Sequence, residues 1–127
     1  MRAEKLRIWV YRWLPILMGC HFRPDRSFHL RGRPFPICAR CTGILCGFLA
    51  AGVGIWLGTP GLIPLLLLMA PMIVDGTIQR LAKRESNNPR RFFTGILWGY
   101  AAMTLLLLSL VLTYRLGRSL GGQLLQG

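Results

Sequence analysis

Two long uncharged runs dominate the hydropathy pattern of the chain, from Cys41 to Val74 and from Phe92 to Tyr114. The first run has 34 residues. As one helix it would be about 51 Å long, against a bilayer hydrocarbon core of about 30 Å, so it must fold back. The Gly- and Pro-rich segment 58–64 provides the break, because both residue types disfavour a continuous helix. The pattern predicts membrane spans at about 41–58, 61–79 and 92–114, followed by a short tail without evident structure at 115–127.

The N-terminal segment repeats apolar side chains at helical spacing, although Arg7 and Arg12 interrupt them. This pattern predicts an interfacial amphipathic helix at about 5–19, with its tryptophans at the level of the lipid headgroups. An alternative is that the LMGC sequence ends a lipoprotein signal peptide and that Cys20 is lipidated. The apolar stretch after Arg12 is short for a signal peptide, which disfavours this alternative. We therefore predict an all-α integral membrane protein with an N-terminal interfacial helix and three transmembrane helices, forming a single domain over 1–127.

The charge distribution predicts the orientation of the chain in the membrane. The net charge of +12 would suit a nucleic-acid-binding protein, but the uncharged runs would not, so no nucleic-acid partner is expected. Nine Lys and Arg residues lie in 1–40 and five in 80–91, whereas two follow the third span. Positively charged loops stay in the cytoplasm. We therefore expect a multi-pass protein of the prokaryotic inner membrane, with its N-terminus and arginine-rich loops in the cytoplasm and in contact with anionic headgroups.

The polar loop 20–40 contains a CxxC motif, Cys38 to Cys41, preceded by Cys20 and His21. Cytosolic thiols are kept reduced, and Cys and His are the usual ligands of zinc, so these four residues are candidate zinc ligands. Adjacent side chains usually diverge, which makes a closed site with both Cys20 and His21 difficult and an open, catalytic one more plausible. A redox-active dithiol and unliganded thiols are the alternatives. His29 is interpreted as an ordinary loop residue.

A carboxylate, Asp75, lies near the cytoplasmic end of the second span. Carboxylates in membrane spans are costly, so a functional role is the default hypothesis. We interpret Asp75 and His21 as candidate acid/base residues, and the alternative for Asp75 is a structural ion pair with Arg40 or Arg80. Arginine dominates the surrounding cations, in a way that suits bidentate anion binding. The candidate anion-binding residues are Arg26, Arg40, Arg91, Ser86 and Asn87, and the candidate supporting residues are Ser27 and Gln79. The alternative is that the arginines only fix topology and contact lipid phosphates.

Small residues recur in the first span, which favours close helix packing in lipid. A stripe at steps of four contains Thr42, Cys46, Ala50, Gly54 and Gly58, and Gly43 and Gly47 broaden it. Gly95 and Gly99 predict a similar contact on the third span. Cys46 is therefore interpreted as a packing residue rather than as a ligand.

Four blocks occur in order between residues 19 and 100: CHFRPDRSF, PICARCTGI, DGTIQ and ESNNPRRFFTGILWG. In order and spacing they resemble an uncharacterised family of small bacterial and archaeal membrane proteins, known as a domain of unknown function. The resemblance implies a membrane fold and no particular activity. It covers all the candidate site residues, while Phe22 departs from the polar Gln that members often carry after Cys-His.

Together these patterns predict a metal-dependent membrane enzyme, with zinc as the cofactor, acting at the cytoplasmic interface on an anionic and lipid-like substrate. The first alternative is a thiol–disulfide redox protein that uses Cys38 and Cys41. The second is a non-enzymatic accessory subunit with a structural zinc site, in a homo-oligomer or a larger membrane complex.

Overall fold

The computed structural model describes residues 2–20, 26–82 and 87–126, and in these ranges it consists of four helices and one short β-hairpin. In chain order the elements are α1 (Arg2–Leu17), β1 (His29–Leu30), β2 (Arg33–Pro34), α2 (Ala39–Leu57), α3 (Leu62–Leu81) and α4 (Asn88–Gln126). Within the described residues three helices, α2, α3 and α4, are long and apolar enough to cross a membrane. The all-α membrane fold with an N-terminal helix and three spans is therefore confirmed.

The central helix, α4, packs against both α2 and α3. Its contact with α2 is a glycine seam, which we define as Gly43 and Gly47 of α2 facing Gly95 and Gly99 of α4. A Cβ atom at any of these positions would collide with backbone atoms of the facing helix. Such close approach is how helices gain van der Waals contact in lipid, where the surrounding chains are as apolar as the side chains.

The seam uses the four predicted glycines, and on α2 it lies beside the main stripe rather than on it. Gly43, Gly47 and Ala51 of α2 are buried, whereas Cys46 and Ala50 are exposed. Cys46 therefore does not pack against another helix of the same chain, and its interpretation as a packing residue within the chain is wrong. The reason is that two adjacent stripes on α2 are both rich in small residues, and the glycine stripe allows the closer approach.

Helix α3 follows α2 after a turn of four residues, 58–61. Gly58 ends α2 with φ of 110°, a backbone conformation that is accessible mainly to glycine. Pro64 lies in the first turn of α3, where the missing N–H costs no helical hydrogen bond. The start of α2, the end of α3 and the start of α4 consequently meet at one end of the bundle, which is the end that carries the polar residues.

The C-terminal segment differs from the sequence prediction, because α4 continues through Gln126 where a tail at 115–127 was expected. Three glycines, Gly117, Gly121 and Gly122, suggested an unstructured end. Each costs only about 1 kcal/mol relative to alanine within a helix, however, and Leu116 and Leu120 continue the helical repeat. The preceding long span therefore extends through this segment.

The predicted polar loop 20–40 contains structure of its own. β1 and β2 pair as an antiparallel hairpin, with Leu30 opposite Arg33. Arg31 and Gly32 form the two-residue turn and both have positive φ, at 53° and 77°, as a type I′ turn requires. The hydroxyl of Tyr11 donates a hydrogen bond to the carbonyl of Pro34 at 2.9 Å, which links α1 to the hairpin.

Candidate functional site

Three thiols come together at the polar end of the bundle. The Sγ atoms of Cys20, Cys38 and Cys41 all lie within 4.8 Å of one another, and all three residues are partly buried. Tetrahedral zinc with Zn–S bonds of about 2.3 Å places its sulfurs about 3.8 Å apart, so small side-chain movements would close this group around an ion. The arrangement can hold a metal ion, as the spacing of the CxxC motif and Cys20 suggested.

Backbone geometry holds the three cysteines in place. Cys38 precedes the first residue of α2, and Cys41 lies in the first turn of that helix. The backbone N–H of Cys38 donates a hydrogen bond to the Sγ of Cys20 at 3.3 Å, which joins the end of the α1 segment to the start of α2. The helix dipole and the N–H groups at this end of α2 favour negatively charged sulfur.

The two cysteines outside the membrane span differ in acidity. A hydrogen bond from the thiol of Cys41 lowers the pKa of Cys38 to about 5. Burial raises the pKa of Cys20. These contacts favour the thiolate form of Cys38, which is the form that binds a metal or acts as a nucleophile.

Asp75 of α3 is 2% exposed and lies within a polar network rather than in the cysteine group. Its Oδ2 accepts hydrogen bonds from Arg40 at 2.8 Å and from the side-chain amide of Gln79. Its Oδ1 forms an ion pair with Arg90 at 3.1 Å. Arg91 in turn donates a hydrogen bond to the Oε1 of Gln79 at 3.2 Å. This network connects α2, α3 and α4 and contains the structural pairing with Arg40 that was the alternative for Asp75.

Two cavities open beside this network and share one wall. One, of about 530 Å³, reaches Cys20, Cys38 and Cys41. The other, of about 830 Å³, extends along α3 and α4 past Ile73 and Trp98. The residues that line both cavities are Arg26, Arg40, Gln79, Arg80 and Arg91. An anion held by this shared wall would therefore lie next to the thiols.

The other candidate residues have different positions. Ser27 is fully buried, and Asn87 accepts a hydrogen bond at its carbonyl from the backbone N–H of Arg91. Neither residue is among those that line the two cavities. His21 and Ser86 lie outside the described residues, so their assignments stay predictions. His29 is exposed on the hairpin.

Sequence reasoning missed two contributors to the site. Arg90 pairs with Asp75, and Arg80 lines both cavities although it was considered only as a structural partner of Asp75. The available signal was their position, since both lie at the ends of spans on the same side as Arg40. The hydrophobic pattern indicates that side of the membrane but not which arginine reaches the carboxylate.

Comparison with protein families gives one match over most of the chain. The model of DUF2085, described as a predicted membrane protein, matches residues 20–105. This range includes the three cysteines of the group and the Asp75 network.

Two archaeal proteins are similar to the chain. An uncharacterized protein of Methanothermobacter thermautotrophicus is 41% identical over 100 residues, which are 73% of this chain and 90% of the relative. Uncharacterized protein MJ1492 of Methanocaldococcus jannaschii is 38% identical over 92 residues, which are 66% of this chain and 58% of that relative. No solved structure matches the chain.

Proposed function

The chain belongs to the DUF2085 family of predicted membrane proteins, and from the site that this family segment forms we propose that it is a metal-dependent membrane enzyme. In this proposal Cys20, Cys38 and Cys41 hold one metal ion, and the enzyme acts on an anionic, lipid-like substrate. The observation that carries the proposal is the wall that the cysteine cavity shares with the arginine-lined cavity. A metal and an anion bound there would be neighbours.

Zinc is the metal that we propose. Three sulfur ligands favour soft or borderline ions, and iron–sulfur clusters usually need four cysteines. Within the described residues the remaining cysteine, Cys46, is exposed and is not in the group. Zinc held by three protein ligands keeps a position for water or substrate, and zinc supplies Lewis acidity there. His21 stays a candidate for the fourth ligand or for a proton-transfer group.

Asp75 is assigned a positioning role in the proposed enzyme. Its carboxylate holds Arg40 and Arg90 by ion pairs, and Gln79 connects it to Arg91. Arg40 and Arg91 line the wall that would bind the anion, and these contacts orient their guanidinium groups there. The acid/base role of Asp75 stays a prediction, and the Asp75→Asn variant described in the Discussion tests it.

We propose that the arginine-rich end faces the cytoplasm of the inner membrane, on the basis of the Lys and Arg distribution. The three spans then bring the C-terminus to the opposite face. Alkaline phosphatase fused after Gly127 should be active in cells, whereas a fusion in the loop between α3 and α4 should be inactive. The reverse pattern would overturn the orientation and, with it, the reducing environment assumed for the thiols.

Metal analysis tests the site. Protein expressed in zinc-supplemented medium and purified in detergent under reducing conditions should contain about one metal ion per chain. Cys38→Ser should lose it, while Cys46→Ser should keep it because Cys46 is exposed and lies outside the group. A metal-free wild-type protein would overturn the proposal.

Catalysis requires a second measurement on the same proteins. Wild type and Cys46→Ser, incubated with extracted anionic lipids, should convert one lipid class that mass spectrometry identifies, and Cys38→Ser should not. Stoichiometric metal without any conversion would instead favour the accessory subunit with a structural metal.

A redox function is the second candidate, because the pKa of Cys38 is lowered to about 5 and its neighbour in the CxxC motif donates a hydrogen bond to it. Low-pKa thiols at a helix N-terminus are typical of disulfide oxidoreductases. A metal-free protein in which Cys38 and Cys41 titrate reversibly between dithiol and disulfide would select this function.

A further inference from the structure

The larger cavity, between α3 and α4, combines two kinds of lining. One end carries the guanidinium groups of Arg26, Arg40, Arg80 and Arg91. The other end is lined by the apolar side chains Met72, Ile73 and Trp98. A purely polar ligand would leave the apolar end of the cavity unused, and a purely apolar ligand would leave the end lined by guanidinium groups unused.

The two ends of the cavity are separated along the membrane normal. Ile73 and Arg80 are seven residues apart on α3, and Arg91 and Trp98 are seven residues apart on the antiparallel α4. At about 1.5 Å per residue, both walls change from charged to apolar over about 10 Å. A headgroup joined to an acyl chain changes in the same way and in the same direction.

The apolar end opens toward lipid. Ile73 is 62% exposed, and it lies on a helix that is long and apolar enough to cross a membrane. Exposed apolar side chains of a transmembrane helix contact acyl chains. A ligand can therefore enter sideways from the bilayer without crossing water.

The charged end favours a ligand with more than one negative charge. None of the described residues that line either cavity is acidic. The neighbouring carboxylate, Asp75, is already bound by Arg40 and Arg90. The Nε of Arg40 is buried and has no hydrogen-bond partner among the described residues. A phosphate monoester carries about −1.5 to −2 charges and three acceptor oxygens, whereas a phosphodiester carries one charge.

We propose that this cavity binds a lipid with a phosphate monoester headgroup, with the phosphate on Arg40, Arg80 and Arg91 and an acyl chain along Ile73 and Trp98. The inference rests on the proposed function in one respect: the phosphate bound at the shared wall would be the substrate that meets the metal. Binding itself depends only on the arginines and the apolar wall.

Binding measurements in a neutral detergent test the proposal. Three probes are titrated and followed by native mass spectrometry: phosphatidic acid, phosphatidylglycerol and inorganic phosphate. We expect phosphatidic acid to bind at least about tenfold more tightly than phosphatidylglycerol, the difference that one additional charge-assisted hydrogen bond supplies. Inorganic phosphate should bind more weakly than phosphatidic acid, because it leaves the apolar end empty. Equal affinity for phosphatidic acid and phosphate would identify free phosphate as the ligand and overturn the lipid source.

Variants assign the binding to this cavity. Arg91→Gln should weaken phosphatidic acid binding about tenfold, and Arg80→Gln, at an exposed position that tolerates substitution, provides the same test if the buried Arg91 is needed for folding. Trp98→Ala should weaken binding of the lipid but not of phosphate. Arg115→Gln, at the opposite end of α4, is the matched control. A loss with Arg115→Gln equal to that with Arg80→Gln would indicate nonspecific charge attraction and overturn the proposal.

One further arm separates this inference from the proposed function. Cys38→Ser should lose the metal and keep its affinity for phosphatidic acid, because Cys38 does not line the larger cavity. Lipid binding by a metal-free wild-type protein would leave the inference standing and overturn the enzyme. A metal-loaded protein that binds none of the probes would overturn this inference and leave the metal site of the proposed enzyme standing.

Discussion

The two interfaces of α4 differ in how they are closed. On the α2 side, the glycine seam brings backbone against backbone, and a Cβ at Gly95 would lie 2.5 Å from the carbonyl oxygen of Arg40. On the α3 side, a cavity of about 830 Å³ separates parts of the two helices. Gly76 of α3 lines this cavity, and a Cβ atom there would meet nothing within 4 Å.

The difference separates a fixed part of the site from a part that can admit a ligand. Arg40 and Arg91 lie in the first turns of the two helices of the seam, so their backbones are held at a set distance, together with Cys38 and Cys41. Helix α3 reaches them through polar side chains, chiefly Asp75 and Gln79. Polar contacts across an open interface can rearrange when an anion binds, whereas interlocked backbones cannot.

The largest effect should come from adding a methyl group on the closed side. Gly47→Ala places a Cβ against the backbone of Ile96 and Tyr100, which cannot move without displacing the helix. We expect a loss of about 2 kcal/mol or more in the free energy of unfolding, measured by thermal or SDS-induced unfolding in detergent. The matched control is Gly76→Ala on the open side, which should be neutral or slightly stabilising because alanine favours the helix by about 1 kcal/mol. Equal losses at both positions would remove the distinction between the interfaces.

An intermediate effect should follow from neutralising Asp75, the carboxylate of α3 that contacts both α2 and α4. Asp75→Asn weakens the pairing with Arg40 and Arg90, and we expect a loss of about 2 kcal/mol in the free energy of unfolding. Thr77→Val is the control, because the exposed Thr77 hydroxyl donates a hydrogen bond to the Ile73 carbonyl of its own helix.

Metal content sharpens this test, since the carboxylate of Asp75 is not in the cysteine group. Asp75→Asn should keep its metal ion, and loss of the ion would place Asp75 in the metal site. For the enzyme, a change in the pH profile of lipid conversion would indicate proton transfer by Asp75. A lower affinity for substrate at an unchanged pH profile would indicate the positioning role.

The smallest effect concerns α1, which the two α4 interfaces do not include. Tyr11→Phe removes the hydrogen bond to the Pro34 carbonyl, and we expect a cost below about 1 kcal/mol. Hydrogen exchange of the hairpin amides should become faster, while exchange in α2 and α4 should not change. Tyr114→Phe, at an exposed position on α4, controls for loss of a hydroxyl group. Faster exchange throughout α2 would mean that α1 supports the bundle after all.

The spans and the cysteine group were predictable from the sequence for simple reasons. Uncharged runs of this length have few alternatives to a membrane, and the break at 58–61 is marked by glycine and proline. The chain has four cysteines, and the CxxC spacing already brings Cys38 and Cys41 together. One further contact, with Cys20, completes the group.

The remaining features depend on choices that a local pattern does not determine. The hairpin has two-residue strands, too short for any periodicity, and only Gly32 in its turn marks it. The sequence marks Gly43 and Gly47 together with the stripe beside them, and backbone approach across two helices decides which of the two forms the seam. Which arginine pairs with Asp75 depends on side-chain reach across three helices, and the sequence shows only that several are near.

Helix α4 has 39 residues and is therefore about 58 Å long, nearly twice the thickness of a bilayer core. From Arg115 to Gln126 it can extend about 18 Å past Tyr114, the last residue of the uncharged run, as a rod with two arginines. The face of the membrane away from the cysteines then carries a projecting post. In single-particle electron microscopy the projecting helix would extend from one side of the detergent micelle, and it would show the orientation of each molecule.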